Sequence, residues 1–344
     1  MWNFKHHHFI CLLVAGLATT FAAQSAAATG EPLKEDQNSG AWHHVTVGVK
    51  DLDAALAQWL GLMGFEVRSR REGADAGLAS LWQIAPEDIE RQAMIGTPGA
   101  GMGLIHLVQF RDPDPPVRQG AEVFDLLPKN LDIFVKNLPQ RVTELRNAGA
   151  TFRTDTYSDV TTPGGGRFME IHMHGHDATN VVFVETPGAE RNHYTDKEFS
   201  GVAQLISIVP DAEREGAFYQ QVMGLDERSK SILKGPDVEK MVGLPPGSAL
   251  DVRIYGGHDA QFGLMEVVDY QGVEGSNRYP LAKPKALGTL HVSYFLDDLT
   301  PLKQRLSASG TEFVEHNPVD TLFGSGPAIS FRTPAGLRIE AHQH

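Results

Sequence analysis

Polar and apolar positions alternate without a break between residues 44 and 49: Val45, Val47 and Val49 fall on one face, His44, Thr46 and Gly48 on the other. A period of two predicts a half-buried strand. After Asp51 the period changes. Leu52, Ala55, Leu56, Trp59 and Met63 recur at helical spacing, and Gly64 stands where a helix C-terminal glycine belongs. Leu138, Val142 and Leu145 before Gly149, and Leu299, Leu302 and Leu306 before Gly310, predict two more helices. Short β-rich runs broken by turn residues follow each helix, as in the stretch 328–341.

This grammar repeats. His-Val-Thr-Val-Gly-Val-Lys-Asp at 44–51 aligns with Gln-Leu-Ile-Ser-Ile-Val-Pro-Asp at 204–211, and at the same offset Gly64 matches Gly224 and His106 matches Glu266. A second pair of segments repeats one residue further apart: Asn130 with His291, Asn137 with Asp298, Gly149 with Gly310. Self-similarity of this kind predicts four βαβββ modules in an α+β fold, two in the segment 41–186 and two in 200–344. The stretches 111–121, 187–199 and 270–286, rich in Pro, Gly or charge, read as linkers.

Four βαβββ modules with polar residues on their first and last strands resemble the vicinal oxygen chelate superfamily of glyoxalase I, extradiol dioxygenases, fosfomycin-resistance enzymes and bleomycin-binding proteins. The resemblance spans about 41–344. It implies that modules pair into two cups of curved sheet and that metal ligands come from the first and last strand of each module. Carried over residue by residue, it makes Gln204, Glu266, His291 and Glu340 a metal site in the second half, the ligand order of one type of glyoxalase I. The cofactor implied is a divalent ion (Zn, Ni, Fe or Mn). Glu340 is by analogy the proton-accepting catalytic group in lyase or isomerase chemistry on a small substrate with adjacent oxygens. His44 and His106 form a weaker second candidate site, because Asn130 is a poor third ligand and the fourth position falls near Phe183 to Glu185. The second half is therefore expected to hold the principal metal.

The residues support a site apart from the resemblance. Glu266 lies in the apolar run Leu264 to Val268, where an unpaired carboxylate is costly to bury. One imidazole, one amide oxygen and two carboxylates suit a borderline or hard divalent ion. The plainer alternative is that all four are polar residues on solvent-facing strand positions. An extradiol dioxygenase is the second functional reading. It needs three protein ligands, against which Gln204 and the additional Glu266 count, and Ser330 stands where that signature has tyrosine. A metal-free protein that sequesters a small molecule is the third.

Composition narrows the rest. With 41% apolar and 21% charged residues the chain is neither disordered nor a polytopic membrane protein. A formal charge of -13 leaves no basic footprint for nucleic acid. Lys5, the apolar run Phe9 to Leu17 and small residues up to Ala28 form a three-part secretory signal pattern. The protein is thus expected to be exported, most simply to a periplasm, without a membrane contact after signal removal, as monomer or homodimer. The single cysteine, Cys11, lies in that segment, so thiol chemistry is excluded from the mature chain. Of the remaining signals, His172, His174 and His176 are expected on one strand face at the surface or lining a cup. The glycines 99, 101 and 103 precede a strand and so do not form a nucleotide loop. His342 and His344 read as a frayed tail.

Overall fold

The computed structural model describes residues 40–162, 164–189 and 191–343. The signal-like segment 1–28 and His344 lie outside the described residues. Module 1 contains β1 (His44–Val49), α1 (Leu52–Leu56, continuing as wider π-type turns to Leu62), β2 (Glu66–Glu72), α2 (Ala76–Trp82), β3 (Ile89–Gly96) and β4 (Leu104–Phe110). A short β5 (Asp114–Pro116) lies in the stretch expected to be a plain linker. Module 2 follows with β6 (Pro128–Val135), α3 (Leu138–Asn147), β7 (Ser158–Thr161), β8 (Arg167–His174) and β9 (Asn180–Glu185). Module 3 has β10 (Phe199–Ile208), α4 (Ala212–Phe218, continuing to Met223), β11 (Asp226–Lys234), α5 (Pro236–Val242), β12 (Ala249–Gly256) and β13 (Leu264–Gln271). Module 4 has β14 (Ala286–Leu296), α6 (Thr300–Ala308), β15 (Phe313–Thr321), β16 (Gly324–Arg332) and β17 (Arg338–Gln343).

The repeat shows in its caps. Asp51 accepts from the N–H groups of Asp53 and Ala54, and Asp211 from those of Glu213 and Arg214, satisfying donors that a helix start leaves open. Gly64 and Gly224 follow those helices with φ of 76° and 75°, a left-handed turn that glycine adopts without strain.

The modules form two curved mixed sheets, but the pairing crosses the halves of the chain. Sheet 1 runs β15-β16-β17-β14-β1-β4-β3-β2, so module 1 shares a cup with module 4. Sheet 2 runs β11-β12-β13-β10-β6-β9-β8-β7, so module 2 shares a cup with module 3. At each centre the two first strands meet antiparallel, β1 on β14 with Val45 opposite Val292, and β6 on β10 with Leu131 opposite Leu205. The connecting stretches that hand the chain between sheets are clamped together. Arg278 pairs with Asp125 at 2.6 Å and donates to the carbonyls of Gln119 and Gly120, while Asp125 also accepts from the Ser276 N–H.

Strand alternation divides the side chains between two environments. Val45, Val47, Leu131, Ile133, Leu205, Met265 and Val292 point to one continuous core shared by both sheets and by α1, α3, α4 and α6. The opposite faces line the cups, each with its own apolar cluster beneath α2 or α5. A carboxylate is buried against the shared core: Glu215 of α4, 1% exposed, accepts the Ala335 N–H at 2.8 Å and so ties module 3 to the turn before β17.

Burial pushes the Glu215 carboxyl up to about 7, against the hydrogen bond from the Ala335 N–H that pulls it down. Between its ordinary value of 4.5 and that raised value the unfolded chain ionises first, so this group favours the folded state at low pH and withdraws that support as pH rises. Glu215→Gln should flatten the decline by up to about 3 kcal/mol between pH 5 and 8, read from urea unfolding at both pH values. An unchanged slope would remove Glu215 as its source.

Candidate functional site

Cup 1 gathers histidines. Thr46 lies opposite both His106 and His291, and Ser293 lies opposite His44 and Glu340, so all of these side chains share the concave face. His44, His106, His291, Glu340 and His342 are all buried there. Glu340 Oε1 accepts from Trp82 Nε1 and from Arg338 Nε, each at 2.9 Å. Its Oε2 stands 3.5 Å from His291 Nε2 and 3.7 Å from His342 Nε2, and none of these three atoms has a hydrogen-bond partner. Burial pulls the Glu340 carboxyl upward, but His291, Arg338 and His342 outweigh it and hold it well below the usual carboxylate range.

The other two histidines are held by protein. His106 Nε2 is 2.8 Å from Gln92 Oε1, and Gln92 in turn donates to Asp75, which pairs with Arg71. With Gln92 accepting, His106 carries its proton on Nε2 and its Nδ1 is bare and unpartnered. Burial first, and then repulsion from His291, lowers His106 to about 3, so it is neutral. His44 Nδ1 is 2.9 Å from His43 Nδ1, and burial followed by His43 depresses it as well. Among the described residues no three His, Cys, Asp or Glu side chains already close round a common point as a metal cage. An ion in cup 1 therefore requires side-chain rearrangement.

Aromatic rings pack against the histidines of cup 1. The Trp82 ring lies 5.4 Å from that of His291, and Phe323, in the turn between β15 and β16, lies 4.5 Å from His44 and 5.2 Å from His342. Trp82 reaches its place because α2 packs directly on the β15 backbone: a Cβ on Gly77 would meet the Asp320 carbonyl at 2.0 Å.

Cup 2 holds a cavity of about 330 Å³. Its walls include Phe134, Phe168, Ile206 and Leu250, and its polar groups include Asp132, Glu170, Gln204 and Glu266. His172 Nε2 lies 2.8 Å from Glu170, and His172 Nδ1 accepts from Asn180, which also donates to Asn130. Asp132 Oδ1 is buried without a partner.

These placements correct the expected four-ligand centre. Gln204 and Glu266 line cup 2, whereas His291 and Glu340 belong to cup 1 with His44 and His106. The contrast of a principal second-half site with a weak first-half one therefore dissolves, because the first strands pair across the halves. In cup 2 the fourth position is filled by Val182, which lies opposite Asp132 as Glu340 lies opposite Ser293. Glu185 instead accepts the Leu138 N–H at the start of α3. Of the three neighbouring histidines, His172 lines cup 2 and His174 is exposed. His176 is past the strand end, where Trp59 donates to it. His342 is no frayed tail: β17 carries it, 4% exposed, beside Glu340. Its spacing of two from Glu340 is the signal that places both on one face, as the spacing of two from Asn130 does for Asp132.

No protein-family model matches the sequence, and no curated protein matches it. Solved structures do. Glyoxalase I from Zea mays superposes with a TM-score of 0.61 at 14% identity, covering 88% of this chain and 92% of that one. A "putative dioxygenase" from Bacillus subtilis superposes with a TM-score of 0.59 at 13% identity, covering 89% and 85%. Likeness at such identities is one of architecture, and it agrees with the modules and cups: the chain has the vicinal oxygen chelate fold.

Gly77→Ala should lift α2 from β15 and draw Trp82 away from Glu340. The expected results are a loss of about 1–3 kcal/mol in stability, as for other overpacked sites, and a change in tryptophan emission that is absent when Trp82→Phe is the background. Emission and unfolding midpoint both equal to the parent would refute this packing role.

Proposed function

We propose that the protein is a metal-dependent enzyme acting on a small molecule, with its metal in cup 1 held by His291, Glu340 and His342 and with His44 and His106 as further donors. The observation that carries this reading is the meeting of three buried, unpartnered atoms: Oε2 of Glu340 and Nε2 of His291 and of His342. A carboxylate oxygen between two unpartnered imidazole nitrogens leaves three groups unsatisfied in the absence of a cation or shared protons. The donor set fits a borderline divalent ion such as iron, nickel, zinc or manganese. Bound there, such an ion supplies a Lewis-acidic centre for substrate oxygens.

The chain's own residues then have separate tasks. Trp82 and Arg338 fix Glu340 through Oε1, which leaves Oε2 as its donor toward the cluster. Trp82 and Phe323 exclude water. Ser330, opposite Glu340 in register and hydrogen-bonded to His316 at 3.0 Å, offers a hydroxyl to a substrate oxygen.

The donor set also orders the candidate reactions. Gln204 and Glu266 were the argument for glyoxalase-type chemistry, and they line the other cup. Two or more histidines with one carboxylate are the set associated with oxygen-dependent chemistry at non-haem iron. We therefore place a dioxygenase-type reaction ahead of lyase or isomerase chemistry. The latter is supported by a different fact: all four repeat-equivalent positions of cup 1, His44, His106, His291 and Glu340, are filled, as a four-ligand Lewis-acid site needs. In that reading Glu340 doubles as the proton acceptor. Export is part of the proposal and rests on the pattern of residues 1–28. Among the described residues no helix is long and apolar enough to cross a membrane.

Metal analysis of the purified protein, after separate reconstitution with Fe(II), Ni(II), Zn(II) and Mn(II), tests the assignment. Glu340→Ala and His342→Ala should each lower bound metal at least tenfold, while Glu266→Ala should bind like the parent. Loss of metal in Glu266→Ala with retention in Glu340→Ala would move the centre to cup 2. A parent that binds none of the four ions would end the proposal.

A further inference from the structure

Cup 2 presents a different chemistry at the same place in the fold. Three carboxylates, those of Asp132, Glu170 and Glu266, face one cavity of about 330 Å³ whose remaining wall is largely aliphatic and aromatic. Their situations differ. Glu170 has His172 as a partner at 2.8 Å and lies in the field of the buried Lys129. Asp132, only 6% exposed, has an oxygen with no partner, and the charges acting on it are those of Glu266 and Glu170, both negative. On the same wall Arg167 is paired with Asp159, and the Arg191 guanidinium is stacked 3.9 Å over the Phe134 ring.

We propose that cup 2 binds a small organic cation, an apolar body carrying a protonated amine, with Asp132 and Glu266 as its counter-charge. The volume is that of a small-molecule pocket rather than of an ion cage, and the apolar wall would be left wet by a hydrated metal ion. The phenyl ring of Phe168 adds a face that attracts cations. Enclosure and mutual repulsion push the Asp132 and Glu266 carboxyls upward in the empty cavity, and an ammonium group between them reverses that repulsion. The site needs no metal and is independent of the centre proposed for cup 1.

Calorimetric titration with tryptamine, against its neutral isostere tryptophol and the anion indole-3-acetate, tests the proposal. Tryptamine is expected to bind at least tenfold more tightly than tryptophol, with indole-3-acetate weaker still. Asp132→Asn and Glu266→Gln, which keep side-chain shape, should each weaken tryptamine at least tenfold while circular dichroism and the unfolding midpoint stay near the parent's. Binding should survive EDTA, which separates this site from any failure or success of the metal centre. Equal affinity for tryptophol or for indole-3-acetate would overturn the proposal, as would tryptamine binding that is absent, lost with EDTA, or unaffected by both substitutions.

Discussion

Two antiparallel strand pairs, β1 against β14 and β6 against β10, determine where the polar side chains of this molecule act. Strand side chains alternate between the bulges that interrupt both pairs, so once Val45 faces Val292 and Leu131 faces Leu205, the polar residues beside them are committed to a cup. A slip of one residue would turn His44 and His291 into the shared core and Val45 and Val292 into the cup. The apolar partners on α1, α3, α4 and α6 make that slip costly, because the core would lose its aliphatic rows and gain buried imidazoles without partners. The same pairing brings module 4 beside module 1. The Arg278 and Asp125 clamp holds together the two connecting stretches that make this exchange between sheets.

The two cups share topology and differ in what covers them. In cup 1 the covering helix α2 brings Trp82 down onto Glu340, and Gly77 is what lets it come so close. In cup 2 the equivalent helix α5 contributes Met241 and Val242, smaller side chains that leave the cavity open beneath them. Burial therefore has opposite consequences for the carboxylates. Glu340 is dry but surrounded by Trp82, Arg338 and two histidines, which favour its ionised form. Asp132 and Glu266 face one another and Glu170, so burial and repulsion act in the same direction against ionisation.

Much of this was legible in the sequence because it is local. The strand at 44–49 and the helices ending before Gly64, Gly149 and Gly310 follow from periods and caps that involve residues a few positions apart. The module count follows from self-similarity, and the concave placement of His44, His106, Glu266, His291 and Glu340 follows from strand alternation. Pairing between modules is not of this kind. The first strands all present an apolar row to the core, so any two satisfy the same alternation, and only the long-range register chooses between neighbours in sequence and neighbours across the chain. That choice separated Gln204 and Glu266 from His291 and Glu340. His342 was missed for a related reason: a histidine two residues from the end of a chain reads as a tail unless the last strand is known to be interior.

The division of the repeat-equivalent residues between cups bears on what each cup can hold. Repeat-equivalent positions hold His44, His106, His291 and Glu340 in cup 1, and Asn130, Val182, Gln204 and Glu266 in cup 2. One carboxylate among histidines can serve a metal, since each imidazole supplies a lone pair without adding charge and the ion's remaining charge is left for a substrate's oxygens. An amide, an amide, a valine and one carboxylate cannot hold a borderline ion as firmly. Asp132 and Glu170, which are not at repeat-equivalent positions, supply two further carboxyl groups there instead. In the proposed reading the carboxylates of cup 2 act as a field rather than as a coordination sphere. A field in an apolar cavity selects a ligand by its charge and shape, whereas a coordination sphere selects it by where its oxygens fall. In the proposed reading the two cups impose these two kinds of selection from a single backbone plan.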